Sequence, residues 1–185
     1  MEKIRCSWCE KDDLYRAYHD NEWGKPVYND ETIFEFLVLE SFQAGLSWYT
    51  ILKKRENFKL AFDDFNYRKI AEYTSEKTEE LMQNPGIIRN RLKILATVNN
   101  AKRFLEVQKE FGTFSEYIWS FVNGKPIINH PKTLKDVPAT SEISDALAKD
   151  LKKRGFKFLG STVVYAHMQA TGMVNDHLLD CWVRN

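Results

Sequence analysis

The strongest constraint on this chain is a set of soft metal ligands divided between its two ends. Cys6 and His19 lie near the N-terminus, His177 and Cys181 near the C-terminus, and they use two of three cysteines and two of four histidines. His177-x-x-x-Cys181 places two donors one turn apart on a helix predicted to begin near Asp176. Two thiolates and two imidazoles complete a tetrahedral zinc shell and leave no position for water. A metal held this way would clasp the chain ends together, and the chemistry would have to lie elsewhere. Cys9 competes with Cys6, because Cys6-Ser7-Trp8-Cys9 has the C-x-x-C spacing of zinc knuckles and redox sites. Thioredoxin-like sites belong to βαβ units, and residues 1–14 show no such pattern. The plainer alternative is that the cysteines pack as small buried hydrophobes. Spacing does not choose between Cys6 and Cys9.

A clasp joining both ends suits a single compact unit, and 185 residues are enough for one. Helical periodicity dominates. A helix capped at Asp30 runs through Ile33, Phe34 and Leu37 and is stopped by Gly45; a second starts from Ser47 and continues toward Leu60. Short helical stretches cover 67–73 and 76–83, and Asn84-Pro85-Gly86 interrupts the pattern. Ile88, Leu92, Leu95, Val98, Ala101, Phe104 and Leu105 mark a long helix ended by Gly112. Further helices are predicted at 114–121, 144–154 and 161–171. The connection 122–143 carries Pro126, Pro131 and Pro138, and Lys125–Ile128 is the one short run with strand character. The reading is all-α, with a helical-hairpin part at about 62–142 and a clasped part from 1–61 plus 143–185. Three cysteines argue against a disulfide scaffold, and no apolar run approaches a membrane span, so a cytoplasmic protein is expected.

Net charge is only +1, so any attraction to nucleic acid must be local. The segment Leu81–Arg91 offers such a place. A tight turn at Gly86 followed by Arg89, Arg91 and Lys93 could hold a DNA backbone through helix-start N–H groups and screening charge. An ordinary helix–helix turn with solvated basic residues explains it equally well. Lys53-Lys54-Arg55 and Lys152-Lys153-Arg154 with Lys157 are further basic clusters of the kind that usually cap helix ends.

Aromatic residues make up 14% of the chain, enough for both a core and a pocket for a flat ligand. Glu40 stands out because it follows Phe36-Leu37-Val38-Leu39, where a carboxylate is costly to bury without donors. Trp8, Tyr15, Tyr18, Trp23 and Trp48 cluster around it in sequence. Such aromatics are more often core, but with Glu40 they would suit a flat cation stacked on rings and paired to a carboxylate.

These residues, taken together, resemble the constitutive DNA-3-methyladenine glycosylases, a divergent family of helix-hairpin-helix glycosylases. The resemblance rests on Tyr18-His19-Asp20-Asn21-Glu22-Trp23-Gly24, Leu39-Glu40, Gln43-Ala44-Gly45-Leu46-Ser47-Trp48 and Leu52-Lys53-Lys54-Arg55-Glu56. It continues through Gly86-Ile87-Ile88-Arg89, Trp119-Ser120-Phe121-Val122, Leu151–Phe158 and Val174-Asn175-Asp176-His177. It implies a helix-hairpin-helix glycosylase fold and one structural zinc on Cys6, His19, His177 and Cys181, with Cys9 outside. It implies that Glu40 contacts the excised base, that Tyr15, Tyr18 and Trp48 line its pocket, and that Trp8 lies close by. Gly86, Ile87, Ile88, Arg89 and Arg91 would anchor double-stranded alkylated DNA, with free 3-methyladenine as product and a monomer expected. Many relatives in the wider superfamily carry a catalytic aspartate some twenty residues after the hairpin; Phe104–Gln108 has none, and the hairpin has no lysine matching the bifunctional nucleophile, so lyase activity is not expected. Two alternatives follow from the residues: a zinc hydrolase, which would need an open metal position, and a non-catalytic zinc-stabilised DNA-lesion-binding module.

Overall fold

A computed structural model describes residues 3–184. Nine α-helices are present among these residues: α1 (Asp13–Asn21), α2 (Asp30–Gln43), α3 (Trp48–Ala61), α4 (Tyr67–Ile70), α5 (Ser75–Gln83), α6 (Arg91–Phe111), α7 (Phe114–Ser120), α8 (Glu142–Lys153) and α9 (Ser161–Ala170). Their starts follow side-chain capping. Asp12, Asn29, Ser47, Asn90, Thr113 and Ser141 each accept a backbone N–H from the first turn of the helix they precede. Asn29, not Asp30, therefore opens α2. Asp30 turns inward, and its carboxylate accepts the Phe114 and Ser115 amides, each at 2.8 Å, so it caps α7 from across the fold.

The core is built largely from aromatic rings. Phe34, Phe42, Phe58, Phe62, Phe104 and Phe114 are all fully buried, and Phe104 stacks on Phe114 with ring centroids 4.0 Å apart. This cluster runs from α2 and α3 through α6 and α7 to α8 and α9. A second, smaller cluster of Tyr18, Phe36, Leu52 and Ala170 has Trp8, Tyr15, Trp23 and Trp48 packed against it. The aromatic excess thus divides between a sealed core and the wall of a cavity.

Two short strands, β1 (Ile127–Ile128) and β2 (Val174–Asn175), pair in parallel. The first lies within the run that looked strand-like in sequence. The pairing fixes the proline-containing connection beside the segment that leads to His177. It also removes the predicted C-terminal helix: residues 176–178 and 181 are irregular, and only Trp182–Arg184 form a 3-10 turn. Asp176 does not cap a helix, because its carboxylate is taken by Asn129, Tyr165 and Gln169. The Leu179 amide bonds to Pro131 O and the Cys181 amide to Leu178 O, so the i→i−4 ladder never starts.

Candidate functional site

The clasp closes without its predicted helix. Cys6, His19, His177 and Cys181 are all buried, and one ligand atom from each lies within 4.8 Å of the others. Cys181 Sγ is 3.5 Å from both His19 Nε2 and His177 Nδ1, and Cys6 Sγ is 3.8 Å from His177 Nδ1. Ligands at zinc–sulfur and zinc–nitrogen distances of about 2.3 and 2.05 Å on a tetrahedron would be about 3.6 Å apart, so the donor set fits a metal ion. Second partners orient both rings. His19 Nδ1 lies 2.8 Å from Asp20, which Arg5 braces in turn, and His177 Nε2 lies 3.0 Å from Trp23 O. Burial pushes the Cys6 thiol up to about 12 and the His177 imidazolium down to about 4, so a bound cation would supply the charge that makes thiolates favourable here. Cys9 stays outside the cluster, with its thiol on Cys6 O at 3.1 Å. Gly24, at φ +76°, lies so near the His177 ring that a Cβ would come within 3.0 Å of it.

The clasp holds one wall of a cavity of about 300 Å³ lined by Trp8, Tyr15, Tyr18, Trp23, Glu40 and Trp48. That volume is at the lower end of small-ligand sites and suits a single base. Helix α1 supplies Tyr15, Tyr18 and His19 from adjacent turns, so pocket wall and clasp share one helix. Trp8 packs edge-on against Tyr15 at 4.9 Å and Trp23 at 5.0 Å, and Tyr18 lies 5.2 Å from Trp48. Glu40 comes from α2 and is 3% exposed, with Oε2 buried and unpartnered; Trp48 Nε1 is likewise buried and unpartnered. Folded proteins rarely leave such atoms unpaired without a use for them. Burial alone pushes the Glu40 carboxyl up to about 8, so it is mainly protonated at neutral pH.

Sequence reasoning missed the opposite wall. Gln43, Leu134, Val137, Ala166, Gln169 and Asp176 also line the cavity. Leu134 and Val137 come from the connection at 122–143, and Ala166 and Gln169 from α9. Gln43 and Asp176 stood within the motifs above without a pocket role; Leu134, Val137, Ala166 and Gln169 have no local pattern, because tertiary packing, including that of α9 on α2, brings them into the cavity.

The basic segment differs from its sequence reading. Helix α6 begins at Arg91 with Asn90 as cap, so Arg89 precedes the helix. Lys93 is 6% exposed and faces inward; its Nζ donates to Phe42 O at 2.9 Å and Ala44 O at 2.7 Å, capping the C-terminus of α2. It is therefore unavailable to a phosphate. The amide of Gly86 donates to Asn84 Oδ1, a Cβ there would press on Asn57, and Lys54 Nζ reaches the Pro85 and Gly86 carbonyls. Arg91 pairs with Glu79, Arg55 with Glu22 and Glu35, and Arg154 with Glu110 and Asp150. Arg89 remains exposed, as do Lys149, Lys152 and Lys157, which line a groove of about 640 Å³ at the turn between α8 and α9.

A ring-walled cavity with an orphaned acidic side chain has the shape and chemistry to hold a flat, hydrogen-bonding ligand. Comparison with known proteins agrees: a family model described as methyladenine glycosylase matches residues 8–185. The chain is 49% identical to DNA-3-methyladenine glycosylase 1 of Escherichia coli, over 96% of this chain and 95% of that protein. It superposes with a TM-score of 0.94 on the Staphylococcus aureus 3-methyladenine DNA glycosylase I, 41% identical, over 98% of this chain and 96% of that one. A second structure, a variant of 3-methyladenine DNA glycosylase I in complex with 3-methyladenine, superposes at 0.95 with 40% identity, over 98% of this chain and 97% of that one. The chain belongs to the methyladenine glycosylase family, enzymes that hydrolyse N-glycosyl bonds.

Proposed function

We propose that the protein removes 3-methyladenine from alkylated double-stranded DNA and has no lyase activity. The observation that carries this reading is the buried, unpartnered Glu40 carboxyl in a cavity walled by Trp8, Tyr15, Tyr18 and Trp48. Chemistry on a base requires its extrusion from the duplex, and a pocket sized for one base accepts it once flipped. Methylation at N3 makes the base cationic and a good leaving group, so little acid catalysis is needed. The incoming cation stacks on the rings, and Glu40 releases its proton to solvent as the cation enters, since an opposite charge nearby favours the carboxylate. The bond from the sugar C1′ to N9 then breaks and its electron pair neutralises the base. Water adds its oxygen to C1′ and releases a proton to solvent.

The donor set Cys6, His19, His177 and Cys181 suits zinc in a closed, structural role; four protein ligands would fill a tetrahedral shell, which argues against metal-assisted hydrolysis. DNA is held by a helix-hairpin-helix surface at Gly86, Ile87, Ile88, Arg89 and Arg91. Arg89 supplies the free charge there, and the lysines of the α8–α9 turn form a second phosphate contact. The decisive experiment measures free 3-methyladenine released from methylated duplex DNA under single-turnover conditions. Release by the unaltered protein, slowed at least about 100-fold in Glu40→Gln, is expected. An equal rate in the variant would remove Glu40 from the mechanism.

A further inference from the structure

The pocket contains a second acidic side chain whose contacts dictate the orientation of a neighbour. Asp176 is 1% exposed, yet three donors converge on it. Its Oδ1 accepts from Asn129 Nδ2 at 2.7 Å, and its Oδ2 accepts from Tyr165 Oη at 2.7 Å and Gln169 Nε2 at 2.8 Å. A carboxylate only accepts, so the Gln169 amide must turn its NH2 to Asp176 and its carbonyl oxygen away. That oxygen receives no hydrogen bond from any described residue, and Gln169 lines the same cavity as Glu40 and Trp48. The pocket therefore holds a pre-oriented acceptor with no partner among the described residues.

A 3-methyladenine nucleotide carries hydrogen-bonding hydrogens at one place only, its exocyclic amine. Those two hydrogens point to opposite edges of the ring and need two acceptors. Glu40 provides one. We propose that Gln169 Oε1, held by Asp176, accepts the other, and that Gln169 is thereby a specificity-determining residue that favours a base with an amine at C6 over one with an oxygen there. A base such as 3-methylguanine would set its C6 oxygen against the Gln169 oxygen, two acceptors with no hydrogen between them. The discrimination follows from the unpaired group and needs no steric exclusion.

This inference rests on the excision reading above, and its test separates the two. Release of 3-methyladenine and of 3-methylguanine from methylated DNA is measured for the unaltered protein, Gln169→Leu and Gln169→Met. In both variants 3-methyladenine release should fall about ten-fold, the effect of one lost hydrogen bond, with 3-methylguanine release unchanged or raised. Asp176→Asn, which lets the amide turn over, should lower selectivity in the same direction at unchanged metal content. Equal slowing of both substrates would make Gln169 merely structural, and an unchanged ratio would exclude it from the base; either result overturns the proposal. No release by the unaltered protein would overturn the excision reading itself, and this inference with it.

Discussion

Glu40 should make the protein less stable as pH rises, and neutralising it should reverse the effect. An unfolded chain releases the Glu40 proton near 4.5, whereas the folded chain keeps it to about 8. Between those values the unfolded state binds fewer protons, so rising pH favours unfolding. Stability from this group is intact below about 4.5 and is lost as pH climbs through 8. At roughly 1.4 kcal/mol per pH unit, the loss accumulated by pH 8 is about 4 kcal/mol, a large share of a typical domain's stability. Glu40→Gln keeps the shape and a carbonyl oxygen but cannot ionise. Urea denaturation of both proteins from pH 4.5 to 9 isolates the effect, because other titrating groups cancel in the difference. The variant should gain on the parent steadily with pH and lead by about 4 kcal/mol near pH 8, while losing excision. A difference independent of pH, or one growing toward acid, would refute the argument.

Removing the metal should destabilise the protein before it affects chemistry. Chelation should lower the melting temperature by at least about 10 °C, and activity should return with zinc when the protein is refolded. Lys93→Met leaves two carbonyls at the end of α2 unsatisfied and should cost about 1–3 kcal/mol in denaturant titration. It should also weaken base binding, since the loop from Phe42 to Ser47 joins Glu40 to Trp48. Arg89→Ala, and separately the pair Lys152→Ala and Lys157→Ala, should reduce the slope of log affinity for duplex DNA against log salt by roughly 1 and 2 respectively. Lys93→Met should leave that slope unchanged.

Much of this architecture is legible in the sequence because it is written locally. Helix starts need a capping side chain and helix interiors need periodic apolar residues, so α2, α3, α6, α8 and α9 are visible to within a few residues. Metal ligands are rare and chemically distinctive, so Cys6, His19, His177 and Cys181 stand out wherever they lie. Glu40 stands out for the same reason, as a carboxylate in an apolar run. Tertiary contact decided the rest. Lys93 looks like a phosphate ligand until α2 ends above it and offers two bare carbonyls, a stronger claim on a buried ammonium than solvent can match. His177 and Cys181 look helical until β1 takes the preceding strand. Gln169 has no signal along the chain and Asp176 only that of a helix start it does not become, because orientation is a property of neighbours rather than of sequence. What the sequence determined was which groups had to be paired; what only the folded structure decided was with whom, because burial makes every unpaired polar group costly and leaves packing to choose the partner.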